Sequence, residues 1–351
     1  MTRPVDLIIF DLDGVITTEQ IYWECARLTL WELMQPRQGT PAVRAMPEGA
    51  VRESILPPVL IDAAKDRMVN SNWDLTYLAA CALLIACDPG EGLPPNTIPA
   101  LLGQLRPGFA NLMAWPAPIE KLLDMAGDRQ SSALLSFAGQ AAADHLGAPP
   151  DLLRPQGAWW SYLYERFQMW LSGEALVAFG MRPLADTLIL PAETLQRTLC
   201  ILREKGYLLG IATGRPHAEA MPPLRDNGLL DLLDPRRIVT YSEVKAAAKE
   251  TGQTGLGKPH PFSVWRAIYP ELPASRLLGT PLPGGLRALM VGDSPSDAQA
   301  AQAAGIPCVG VLSGITELQR RERRRAALQL AGCVDVLLDV SYLPAWLDDW
   351  R

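Results

Sequence analysis

The first strand of this chain has no partner nearby in sequence. Val5–Phe10 (VDLIIF) is a short, nearly continuous apolar run closed by Asp11, the pattern of a parallel strand buried on both faces. One strand cannot make a sheet, and comparable runs return only beyond about residue 182, at Tyr207–Ala212, Arg237–Thr240, Leu286–Val291, Pro307–Val311 and Val334–Leu338. Helical stretches separate most of them, so the alternation predicts an α/β fold with a doubly wound parallel sheet. The residues in between differ. Ile21–Met34, Asp74–Cys87, Ser131–His145 and Trp159–Leu171 have helical length and periodicity and are set apart by Pro and Gly clusters. The first strand must therefore rejoin the distant half. This predicts a discontinuous core, residues 1–16 and 182–351, and an inserted helical domain, residues 17–181. The chain would cross between them at Ile16–Glu19 and Arg182–Pro191, where Pro183 and Pro191 suit a non-helical connection.

The 351 residues exceed the usual span of one domain, and a hydrophobic content of 48% supplies material for two cores. With 32 basic against 38 acidic side chains the net charge is -6, which disfavours a general role on nucleic acid or anionic membrane. The basic run Arg320–Arg325 accordingly reads as a solvated helix face. Six cysteines (Cys25, Cys81, Cys87, Cys200, Cys308, Cys333) form no CxxC pair and have no matching His spacing, so they predict buried, reduced thiols without zinc or a disulfide framework. The N-terminal apolar run is too short for a secretory signal. Leu75–Cys87 falls short of the roughly 20 residues that span a bilayer. A cytoplasmic protein is expected, with no membrane or nucleic-acid partner; its oligomeric state is not legible.

In open α/β sheets ligands bind outside the carboxyl ends of the strands, so the polar residues that follow each apolar run are the candidates. Asp11 and Asp13 follow the first strand, and Thr213 and Gly214 follow YLLGIA. Gly257-Lys258-Pro259 opens a later helix, and Gly292-Asp293-Ser294-Pro295-Ser296-Asp297 follows LRALMV. Converging carboxylates repel unless a cation sits among them, and an oxygen-only set suits a hard ion such as Mg²⁺. Lys258 and the Thr213 hydroxyl add the charge and hydrogen bonding that a transferring phosphoryl group needs. No GxxxxGK[ST] loop is present, so a P-loop nucleotide site is not supported.

These four motifs in order, DLDGV at 11–15, IATG at 211–214, GKP at 257–259 and GDSPSD at 292–297, resemble those of the haloacid dehalogenase (HAD) superfamily. The resemblance covers the core and places the insertion where that family carries its C1 cap, between the first and second motifs. It implies Asp11 as a nucleophile forming an aspartyl-phosphate and Asp13 as general acid, then base. It also implies that Asp293 ligates Mg²⁺ together with the Asp11 carboxylate and the Asp13 carbonyl. Thr213, Gly214 and Lys258 would bind the phosphoryl group, and Asp297 would orient Lys258 or a metal-bound water. Dehalogenases that attack carbon resemble this pattern but lack the second acid, and the DKTG motif of P-type ATPases is absent. The expected activity is Mg²⁺-dependent hydrolysis of a small phosphorylated metabolite, with a helical cap closing over the site. Two alternatives are a phosphomutase resembling β-phosphoglucomutase, against which Thr18 stands where that family usually has Asp, and a partner-binding protein on a retained scaffold.

Residues beside the motifs have plainer explanations. Arg215 reads as a surface residue at a helix start, and His217 and His260 as local capping or surface groups; His145 lacks even proximity to a motif. The aromatic series Trp159, Trp160, Tyr162, Tyr164, Phe167 and Trp170 has the i, i+3, i+4 spacing of a helix-packing core.

Overall fold

The computed structural model describes residues 5–34, 53–69, 71–87, 93–104, 116–177, 187–279, 282, 284–315 and 317–350. The chain divides into two compact units, residues 1–19 with 186–351, and residues 20–185. The first unit holds six parallel strands: β1 (Leu7–Phe10), β2 (Leu208–Ala212), β3 (Ile238–Val239), β4 (Ala288–Gly292), β5 (Cys308–Val311) and β6 (Asp335–Leu337). Their order is β3-β2-β1-β4-β5-β6. Each lies within an apolar run read from the sequence or extends it by one residue.

The burial of β1 follows from its alternation. Ile8 and Phe10 join a cluster with Leu195, Leu199, Leu343 and Leu347 on one face of the sheet, whereas Leu7 and Ile9 pack with Val264, Ala298 and Ala301 on the other. Successive side chains of a strand point to opposite faces, so a strand covered by helices on both sides must be apolar at every position. β1 is therefore central, pairing with β2 (Phe10 opposite Ile211) and β4 (Phe10 opposite Val291). The strand order reverses between β1 and β4, which makes their carboxyl ends the crevice where ligands of such sheets bind.

The second unit is helical. Its centre is the helix Asn72–Ala86, in which every residue from Leu75 to Leu84 is buried. A helix apolar all round can only be stable when surrounded, and Gln20–Leu33, Pro116–Ala126, Ser131–Leu146 and Ala158–Leu171 pack around it. Ser71 caps its start by accepting from the Asp74 amide at 3.2 Å. The aromatic series behaves as the spacing predicts. Trp159, Phe167 and Trp170 are fully buried, Phe167 stacks on Tyr22, and Trp160 stacks on Tyr164. The stretches read as Pro and Gly spacers also contain helices, at Pro58–Asp66, Ile98–Gln104, Pro116–Ala126 and Pro150–Leu153. The return crossing predicted at Arg182–Pro191 lies outside the described residues up to Asp186, as does the boundary at 181/182.

Two surface expectations are corrected. The helix Leu318–Leu330 is not a uniformly solvated basic face: Arg324 is buried, Arg321 donates to the Ile315 carbonyl, and Arg325 donates to the Val336 carbonyl at 2.7 Å. Long Arg side chains here satisfy main-chain carbonyls of β6 and of the loop after β5, burying their stems. The six cysteines are free, with Cys87 and Cys200 partly exposed and the others buried. No helix among the described residues is long and apolar enough to cross a membrane.

Candidate active site

Asp11 follows β1 directly and is anchored by its own backbone, its amide donating to the Val291 carbonyl of β4 at 2.8 Å. Its Oδ1 accepts from the Leu12 amide at 2.8 Å and faces Lys258 Nζ at 2.8 Å. Burial, reinforced by Asp297 and Asp293, pushes the Asp11 carboxyl well above the ordinary carboxylate range against the pull of Lys258. Gly14 lets the loop after β1 approach the Asp293 side chain after β4. At φ +75° it closes a tight loop, its amide donating to the Thr17 carbonyl at 2.7 Å, and a Cβ there would overlap the Asp293 carboxylate. Gly14→Ala should therefore cost about 1–3 kcal/mol in urea denaturation, from strain at positive φ and displacement of Asp293; a variant as stable as the parent would show the loop to be freely adaptable.

Lys258 arrives from the turn that precedes the helix Phe262–Ile268. Its ammonium has three acceptors for its three protons: Asp11 Oδ1, Asp297 Oδ1 at 2.5 Å and the Ala212 carbonyl of β2 at 3.2 Å. Burial alone would lower its pKa, but Asp11 and Asp297 outweigh that and raise it, keeping the group charged. Asp297 is fully buried and divided between two duties. Oδ1 meets Lys258, and Oδ2 accepts from Ser294 Oγ at 2.6 Å and the Ser294 amide at 3.2 Å, a capping box that starts the helix Pro295–Ala304. Gly292 has no space for a side chain, since a Cβ would overlap Asp297.

Ligand oxygens of Asp11, Asp293 and Asp297 lie within 4.8 Å of one another. Lys258 pairs with Asp11 and Asp297, and the donor set is oxygen alone, so a hard divalent cation fits the ligand chemistry. Thr213 is buried after β2, its amide donating to the Val239 carbonyl at 2.9 Å and its Oγ1 accepting from the Arg215 amide at 3.1 Å. Gly214 beside it is exposed, with open space around its α-carbon.

Asp13 is held apart from this cluster. Its carboxylate accepts from Arg215 Nε at 2.9 and 3.0 Å, from Arg215 Nη2, and from Thr17 Oγ1 at 3.1 Å. Arg215 is thus no surface residue. At 3% exposure it is among the most buried cations of the described residues, because Asp13 and the Thr17–Thr18 segment supply the acceptors that a desolvated guanidinium requires. The histidines behave as the simpler expectation has them: His260 Nδ1 accepts from the Phe262 amide at 3.1 Å at a helix start, and His217 is exposed.

A family model described as HAD-hydrolase-like matches residues 255–340, the stretch that carries Lys258, Asp293 and Asp297. No curated protein matches the chain. Among solved structures, a Northeast Structural Genomics Consortium target is 22% identical, with 98% of each chain covered and a TM-score of 0.68, which shows the fold. A haloacid dehalogenase-like protein from Agrobacterium tumefaciens is 15% identical with 98% of each chain covered and a TM-score of 0.44. A HAD family hydrolase from Deinococcus radiodurans with bound phosphate and sodium is 18% identical, with 99% of this chain and 97% of that one covered and a TM-score of 0.43.

Proposed function

We propose that this chain, a member of the haloacid dehalogenase superfamily, is a Mg²⁺-dependent phosphatase that hydrolyses a small phosphorylated metabolite through an aspartyl-phosphate on Asp11. The observation that carries the proposal is the strand-end Asp11 carboxylate, 2.8 Å from the Lys258 ammonium and close to Asp293, in the crevice where the strand order reverses. A carboxylate can attack phosphorus only where the charge of the phosphoryl oxygens is offset. Asp11 and Asp293 would hold Mg²⁺ together with the Asp13 backbone carbonyl, and the ion when bound would offset phosphoryl charge and orient the group for in-line attack.

The remaining work falls to the chain's own groups. Lys258, fixed by Asp11, Asp297 and the Ala212 carbonyl, presents a permanent positive charge to the phosphoryl oxygens. The Thr213 hydroxyl and the unobstructed Gly214 backbone supply hydrogen bonds to the same oxygens. Asp13, paired with Arg215 as a carboxylate, takes up a proton from solvent, gives it to the departing oxygen as the ester bond breaks, and then takes a proton from the water that cleaves the acyl phosphate on Asp11.

Phosphate release across a panel of phosphometabolites, with and without Mg²⁺ and with product analysis, tests the proposal. Release of inorganic phosphate is expected. Isomerisation without release would turn the assignment to a mutase, and complete inactivity across the panel would leave the scaffold alternative. Asp13→Asn should slow alkyl phosphates by about 10²–10⁴-fold and aryl phosphates far less, because a good leaving group needs little protonation. Equal loss on both substrate types, measured as kcat/KM, would assign Asp13 to structure or metal positioning instead.

A further inference from the structure

Arg215 does more than neutralise a partly buried acid. Its main chain is fixed on both sides, the amide donating to Thr213 Oγ1 at 3.1 Å and the carbonyl accepting from the Tyr241 amide at 2.8 Å. From that base the guanidinium engages both oxygens of Asp13 through Nε, and Nη2 reaches Asp13 Oδ1, Thr17 Oγ1 at 2.9 Å and the Thr18 carbonyl at 3.2 Å. The Thr17–Thr18 segment is itself one side of a short antiparallel strap within the first unit. Thr17 bridges Leu188, the Thr18 amide donates to the Thr187 carbonyl at 2.8 Å, the Ile189 amide donates to the Ile16 carbonyl at 2.9 Å, and the Thr18 and Thr187 hydroxyls meet at 2.5 Å. One planar cation therefore ties the second carboxylate of the site to the strap.

We infer that Arg215 is a positioning residue that sets the Asp13 carboxylate against the Thr17–Thr18 strap and so fixes where Asp13 meets the leaving oxygen. The inference rests on the phosphatase proposal, since it gives Asp13 an acid–base task. A guanidinium suits this role because its donors lie in one rigid plane. It fixes the carboxylate in angle as well as distance while sparing donors for Thr17 and Thr18, which the compact ammonium of a lysine cannot do. Displacement of a reacting group by about 1 Å can cost on the order of 10²-fold in rate. Stability alone would not require Arg here, because a buried ion pair is often matched or exceeded by an apolar pair of similar volume.

The test is a double-mutant cycle in the full chain with Arg215→Gln, Asp13→Asn and both together. kcat and KM are measured separately on an alkyl and an aryl phosphate in Mg²⁺, with thermal denaturation of each variant. Arg215→Gln is expected to lower kcat on the alkyl phosphate by about 10–10²-fold with KM little changed, and to affect the aryl phosphate less. In the Asp13→Asn background it should cost no further activity, because the group it positions is gone. Equal losses in both backgrounds, equal losses on both substrates, or a rise in kcat would each overturn the inference, the first two in favour of a purely structural role and the last in favour of a restraint. Should Arg215→Gln fail to fold, Arg215→Lys carries the same cycle. A parent protein that releases phosphate from neither ester overturns the phosphatase proposal and this inference with it, an outcome distinct from an active parent with an additive cycle.

Discussion

Asp11→Asn is expected to lower turnover by on the order of 10⁴–10⁶-fold while leaving the fold intact, the scale of loss seen when a nucleophile is removed from an enzyme that retains its other groups. An amide of the same shape occupies the strand end but cannot attack phosphorus. Stability should not suffer. Asp11 is buried beside Asp297 and Asp293, which together with burial push its carboxyl upward, so a neutral isostere relieves repulsion while Lys258 keeps Asp297 and the Ala212 carbonyl. Phosphate release and melting temperature measured on the same preparation decide the matter. A variant that melts like the parent and still turns over at a near-parental rate would remove Asp11 from the nucleophile's role.

The parts of the architecture that were legible in the sequence are those set by local pattern. Residues 5–10 announce β1 because a strand covered on both faces must be apolar throughout, and even the two residues of β3 fall inside the run Arg237–Thr240. The carboxylates at strand ends were legible for the same reason, since they end apolar runs. Short helices in the insertion were not. Pro58 and Pro150 stand in first turns, where proline is tolerated, yet the same residues read as breakers when the apolar repeat after them is brief. The motif places Asp297 near Lys258, but its second duty in the Ser294 capping box has no clear sequence signature because Glu or Gln is the usual partner at that position.

Arg215 shows where sequence reasoning stops. An Arg after Thr-Gly carries no local sign of burial. Its acceptors are Asp13, Thr17 and Thr18, far away in sequence and brought to it only by the pairing of β1 with β2. The same separation explains why Asp13, beside Asp11 in the motif, is held on Arg215 whereas Asp11 faces Lys258. Proximity in a motif fixes which residues reach the crevice, and the tertiary partners decide what each is bonded to there.

Chelation should silence the enzyme, and the same cation should stabilise the fold in a pH-dependent way. Without an ion, the Asp11, Asp293 and Asp297 carboxylates still lie close together while Lys258 pairs with Asp11 and Asp297, and the Asp11 carboxyl is held above its ordinary value of 3.8. For an acid whose folded pKa is raised, the native state holds the proton more tightly than the unfolded chain. Its contribution to stability is present below the unfolded value and is lost as pH rises through the folded one. The metal-free protein should therefore weaken as pH climbs above 3.8 through that window, and Mg²⁺ should stabilise more at pH 8 than at pH 5. At a concentration about 100 times its dissociation constant a ligand adds roughly 2.7 kcal/mol, about 5–11 °C in melting temperature for a domain of 150–250 residues. Asp293→Asn should remove most of that rise and nearly all activity. Ca²⁺ should bind yet fail to support turnover, because its longer bonds and higher coordination number spoil in-line geometry at phosphorus. Full rate in excess EDTA with metal content verified as nil, or a Mg²⁺-induced melting shift that survives Asp293→Asn unchanged, would move the cation away from this cluster and leave Lys258 as the main charge available to the phosphoryl group.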